Sequence, residues 1–160
     1  QRLDFEEMRD ALLFVSGKLD LKLGGPAVDI TSQPCVTRRT VYGFIDRQNL
    51  PGMFRTFDFA SPDTSNPQRF TTTVPQQALF LMNSPFVEEQ ARNLVARSDV
   101  SSLPETAAKI RRLYQLAYGR QPDAAESALG QKFITANAGD KGWEELAQVL
   151  LLANEFAFVD

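Results

Sequence analysis

The chain has 160 residues, 43% apolar and 23% charged, enough for one domain with a real core and unlike a disordered segment. A net charge of −3 lacks the basic field that nucleic-acid binding requires. With no histidine and a single cysteine, the chain builds no Ser-His-Asp or Cys-His catalytic set, no histidine-based metal site, no internal disulfide and no Cys-x-x-Cys-His haem attachment. No apolar run is long enough to span a bilayer, and no signal peptide is visible.

In chain order, Asp4 and Glu7 form a capping box, and Phe5, Met8, Leu12 and Val15 recur at helical spacing up to a stop at Gly17. Leu19, Leu21 and Leu23 alternate with Asp20, Lys22 and Gly24 in a short extended piece closed by Gly24-Gly25-Pro26. Ala27–Thr37 reads as loop. Arg39–Ile45 is rich in β-branched and aromatic residues and reads as a strand, with helix the close alternative. Leu50-Pro51-Gly52 breaks it, and Met53–Phe59 is one helical turn or an extended piece. Ala60–Phe70, with Pro62 and Pro67, is an irregular loop of more than ordinary length.

From there the chain is helical. Pro75, Pro85, Pro104 and Pro122 each suit a first helical position, and Ser84 is the one strong cap among the residues that precede them. Four apolar stripes follow: Phe86, Val87, Ala91, Leu94, Val95; then Ala107, Ile110, Leu113, Tyr114, Ala117, ended near Gly119; then Leu129, Phe133, Ile134; then Leu146, Val149, Leu150, Ala153 and Phe156 or Ala157. The expected fold is mainly α: a helical bundle with an irregular Arg/Phe-rich segment and room for one short strand or hairpin. The expected organisation is one domain over 1–160, with an N-terminal helix and loop (1–37), the irregular segment (38–73) and the bundle (74–160).

Arg38–Phe70 carries five Arg, five Phe and one Tyr, and no Lys, a choice that points to planar hydrogen bonding or stacking. Arg38, Arg39, Arg47, Arg55 and Arg69 read first as internal ties that pair with Asp46, Asp58 and Asp63 and satisfy loop carbonyls. The sharper alternative is a grip on carboxylate or sulfate groups of an acidic polysaccharide. Asp58, Asp63, Ser65 and Asn66 form an oxygen-rich loop whose first reading is turn chemistry; a weak calcium site at Asp58, Asp63 and Asn66 is the one metal alternative. Asp58 and Asp63 are also the carboxylates that could act as general acid and base on a glycan, with Arg39 or Arg55 holding it. Thr71–Thr73 with Pro75, Gln76 and Gln77 reads as a helix entry before it reads as an anion site. The rings of Tyr42, Phe44, Phe54, Phe57, Phe59 and Phe70 suit packing into a core or against a neighbouring domain better than a sugar platform. Cys35 reads as a small apolar residue rather than a reactive thiol.

The stretch RRTVYGFIDRQNLPGMFRTFDFASPDTSNPQRFTTTVPQQALFLMNSPFV resembles the central signature of the PSD domain, a domain of unknown function in planctomycete proteins associated with a cytochrome-c-like domain. Val15–Asp20 with Gly24-Gly25-Pro26, LYQLAYGRQPDAAE and the terminal NEFAFVD resemble the flanking parts of the same family, so the likeness covers essentially the whole chain. It implies the C-terminal part of a PSD domain in a large exported, periplasmic or extracellular, multidomain protein. Any haem would then reside in another domain and no cofactor in this chain. The resemblance carries no catalytic residues. The reading that follows is a non-catalytic structural or interaction domain whose partners are other domains of the parent protein, with no nucleic acid and no membrane span. The alternative is part of an enzyme or binding module acting on acidic or sulfated polysaccharide.

Overall fold

The computed structural model describes residues 2–46, 48–60, 65, 67, 72 and 74–158. It is mainly helical, with no sheet among the described residues. The helices are α1 (Phe5–Val15), α2 (Gly52–Thr56), α3 (Pro75–Met82), α4 (Pro85–Ala96), α5 (Ser98–Ser101), α6 (Thr106–Tyr118), α7 (Ala124–Ala136), α8 (Asp140–Leu152) and α9 (Asn154–Ala157).

The capping box forms at the start of α1, where Glu7 accepts from the Asp4 N–H at 3.1 Å. Its stripe Phe5, Met8, Leu12 and Val15 is buried. The helix ends where Gly17 turns left-handed at φ 73°, and Lys18 donates back to the Leu13 carbonyl at 2.8 Å. Gly119, at φ 71°, closes α6 in the same way, with its N–H on Gln115. Pro75 and Pro85 open α3 and α4 as expected. Pro104 and Pro122 instead sit outside their helices, because Glu105 and Asp123 take the N-cap positions. Asp123 and Glu126 close a second capping box, each accepting the other's backbone N–H at 2.8 Å.

α4, α6 and α8 build the centre of the core. They bury Val87, Ala91 and Leu94, then Ile110 and Leu113, then Leu146, Ala147, Leu150 and Leu151. α1 and α2 complete it with Leu12, Leu13 and Phe54. Gly130 of α7 lets that helix approach α6: a Cβ there would lie 3.2 Å from Ile110 Cδ1. Two expected stripe members face outward, Leu129 at 69% exposure and Val149 at 60%. Each buried face is rotated by about one residue: α7 presents Gly130 and Ile134, and α8 presents Leu146, Ala147, Leu150 and Leu151.

The strand expected over Arg39–Ile45 is a 3-10 turn at Thr40–Tyr42, flanked by isolated parallel bridges Asp20↔Arg38 and Val28↔Gly43. The Asp10 carboxylate takes the Thr40 N–H at 2.7 Å, and Gly43 donates back to the Thr40 carbonyl at 2.8 Å. The Thr40 N–H is therefore spent on α1 and its carbonyl on the turn itself, and no ladder extends.

Two ion-pair nodes tie the far side. Asp99 accepts from Arg97 and Arg112, which holds its carboxyl far below the usual range. Arg120 grips Glu126 at 2.7 Å and Glu155 at 2.5 Å, joining the start of α7 to α9. Hydrogen bonds from Arg120 pull the Glu126 pKa down to about 2. The folded-state value lies below that of an unfolded glutamate, so the stabilisation is complete above about pH 4.5. It is lost as pH falls toward about 2. Glu126→Gln is therefore expected to lower Tm at pH 7 by about 2–4 °C, with the gap to wild type closing as melts are taken from pH 5 down to pH 2. A gap that stays constant over that range would refute the assignment.

Candidate functional site

The residues singled out by the sequence gather where α1 meets the 38–59 segment and the entry to α3. Phe5 of α1 lies against Phe54 and Phe57, each at 5.4 Å between ring centroids; Phe59 meets Phe54 at 4.9 Å, and Phe80 of α3 meets Phe57 at 5.7 Å. Phe54 and Phe57 are core residues, whereas Phe44 is exposed. The rings thus form a packed wall rather than an open platform. Phe70 lies outside the described residues.

Asp58 sits at that wall in a left-handed conformation, φ 58°. Its carboxylate accepts from the Thr72 N–H and hydroxyl, each at 2.8 Å, and from the Gln77 amide at 3.3 Å, and it pairs with Arg2 at 3.6 Å. Gln77 is buried, donates to the Thr56 carbonyl at 2.8 Å, and accepts from Arg2, which also donates to the Thr72 carbonyl. One carboxylate therefore fastens the end of α2 to the entry of α3 and to the N-terminal segment. Asp63 and Asn66, its proposed partners for acid–base work or calcium, lie outside the described residues, as do Arg47 and Arg69. Among the described residues no group of three or more His, Cys, Asp or Glu is assembled that could hold a metal ion.

Arg38 stacks over the Tyr42 ring at 4.1 Å and donates to the carbonyls of Lys22, Gly24 and Pro26, while the Tyr42 hydroxyl accepts from the Gly24 N–H at 2.9 Å. Arg39 pairs with Asp10 at 3.3 Å and keeps half its side chain in solvent. Arg55 is exposed, with no partner among the described residues. Asp46 caps its own turn by accepting from the Gln48 N–H at 2.9 Å. The expected partners for the arginines were Asp46, Asp58 and Asp63; for Arg38 they are loop carbonyls and for Arg39 it is Asp10 of α1.

Sequence reasoning missed Arg9, Asp10 and Arg2, and it placed Gln77 at a helix entry without foreseeing its burial. Arg9 is 3% exposed. It donates to the Arg38 carbonyl at 2.9 Å, to Thr40 Oγ1 at 3.1 Å and to the Val36 carbonyl, and it lies over Phe86 at 5.2 Å. Desolvation pushes its pKa below the ordinary arginine value. Its position was legible, since it lies four residues after Phe5 on the apolar face of α1. Beside it a cavity of about 260 Å³ opens between α1, the 30–35 loop, Met53 and the α3–α4 elbow. Cys35 lines it half-buried, with the thiol pushed up to about 11, chiefly by burial.

α3 has an inverted face. It buries Gln77 and leaves Leu79 and Met82 exposed at 57% and 55%. An open groove of about 430 Å³ runs along it, lined by Thr56, Gln76, Leu79, Phe80, Asn83 and Pro85.

No curated protein and no solved structure matches the chain. The model of the family described as "PSD1: Protein of unknown function (DUF1553)" matches residues 1–134, ending inside α7 and leaving α8 and α9 beyond the matched region. By that match, which takes in the Asp58 node, the Arg38 clamp, the cavity and the whole of α3, the chain belongs to the PSD1 family of proteins of unknown function.

Proposed function

We propose that this chain is an interaction domain that docks through α3 on a neighbouring domain of a larger exported polypeptide. The observation that carries the reading is the inverted burial of α3, with an amide inside and Leu79 and Met82 outside. Exposed large apolar side chains beside a groove are the ordinary mark of a contact surface. The polar residues of the Arg/Phe segment support the same reading: Asp58, Arg38 and Arg39 are engaged in internal hydrogen bonds, which suits a scaffold that presents α3. Association with a cytochrome-c-like domain rests on family resemblance, and the haem would belong to that domain. A grip on acidic or sulfated polysaccharide draws on Arg55, which is exposed and has no partner among the described residues.

Hydrogen exchange compares the chain alone with its full-length polypeptide. The amides of α3 are expected to exchange more slowly in the full-length protein. Leu79→Glu with Met82→Glu is expected to remove that protection while leaving the melting of the isolated chain within about 0.5 kcal/mol of wild type per site. Equal exchange of α3 in the two contexts would sink the docking reading. Retention on a sulfated polysaccharide that disappears with Arg55→Ala would favour the glycan reading instead.

A further inference from the structure

We propose that the cavity beside Arg9 is a binding site for a small amphipathic carboxylate, its chain among the apolar side chains and its head toward the Arg9 guanidinium. The cavity is mostly apolar, walled by Met8, Leu12, Ile30, Met53, Leu81 and Phe86. Arg9 shares the lining. At about 30 Å³ per water-sized group the space suits a ligand of on the order of ten non-hydrogen atoms.

The charge of Arg9 selects the head group. Its guanidinium is almost wholly removed from water, and no carboxylate among the described residues pairs with it. Asp10, the next residue along, is occupied by the Thr40 N–H and hydroxyl, each at 2.7 Å, and by Arg39. Arg9 uses three N–H donors on Arg38, Thr40 and Val36, and an arginine has five. A desolvated cation with donors to spare favours an anion in the adjoining space, and a carboxylate matches its planar fork. The Cys35 thiol feels both Glu89, which helps burial raise its pKa, and Arg9, which lowers it.

Cys35 supplies the readout, because it is the chain's one thiol and lines the same cavity. The rate of its alkylation by iodoacetamide at pH 8.5 is measured with octanoate, octan-1-ol or octylammonium present. Octanoate is expected to slow the reaction about tenfold at saturation, octanol less, and octylammonium least. Protection by octylammonium equal to that by octanoate would overturn the charge assignment, and no protection by any of the three would overturn the site. Arg9→Met carries the second arm where it remains folded by circular dichroism: it should lose the preference for octanoate over octanol, and a preference kept in full would refute the role of Arg9. Should the variant unfold, the three-probe comparison on the native chain decides.

Discussion

Asp58→Ala is expected to lower the unfolding free energy by about 3 kcal/mol. The carboxylate serves four donors from three parts of the chain: the Thr72 N–H and hydroxyl, the Gln77 amide and the Arg2 guanidinium. Its loss leaves Arg2, whose side chain is 8% exposed, as an uncompensated buried charge. Breaking a buried pair from one side costs about 3–5 kcal/mol, and the 22% exposure of Asp58 places the effect at the lower end. Alanine also tolerates the left-handed backbone at this position less well than aspartate does. Asp58→Asn keeps an acceptor oxygen and that backbone tolerance while removing the charge, so it should show about half the loss. Urea unfolding followed by circular dichroism compares the three proteins. An alanine variant as stable as wild type would show the node to be idle, and an asparagine variant as damaging as alanine would assign the whole effect to charge.

Gly142→Ala should destabilise the chain by about 3 kcal/mol, against the helix propensity that favours alanine by about 1 kcal/mol. Gly142 lies near the start of α8, and a Cβ there would stand 1.9 Å from the carbonyl oxygen of Asn137. That neighbour is backbone at the C-cap of α7, so relief requires α7 and α8 to separate. Gly52, at the start of α2 with nothing within 4 Å of its Cβ position, is the internal control: Gly52→Ala should be neutral or stabilising by about 0.5–1 kcal/mol. Thermal melts of the pair give opposite signs if the close approach governs. A Gly142→Ala protein that melts at or above wild type would remove the steric argument.

The helical character was legible because its signals are local. The Asp4–Glu7 box, the α1 stripe and the left-handed stop at Gly119 depend on residues within a turn or two of each other. The second capping box, Asp123 with Glu126, was equally local, and weighing it above Pro122 would have placed the start of α7 correctly. The 38–59 segment resisted reading for a different reason. Thr40–Tyr42 has the β-branched and aromatic composition of a strand, yet the donor that a ladder needs is taken by Asp10, thirty residues away. Gln77 became the inside of α3 through Asp58 and Arg2, which no helical periodicity could announce. The arginine-rich composition did point to a crowded region of hydrogen bonds, but it could not say that carbonyls and Asp10 would be the acceptors.

The Leu3 N–H donates to the Ala157 carbonyl at 2.8 Å, and Arg2 and Phe158 form an antiparallel bridge beside it. The two ends of the described chain are thus fastened to each other. During synthesis the segment around Leu3 waits for α8 and α9 to leave the ribosome before it meets its partner. Until then the apolar faces of α4 and α6, which α8 covers in the finished fold, have no lid. A nascent chain arrested after α7 should consequently be a client for chaperones, and release of that client should coincide with emergence of the last two helices. The same closure brings the flanking points of the fold together, so a short linker between residues 158 and 2, with new ends opened in a surface turn such as Asn137–Gly139, offers a route to a circular permutant.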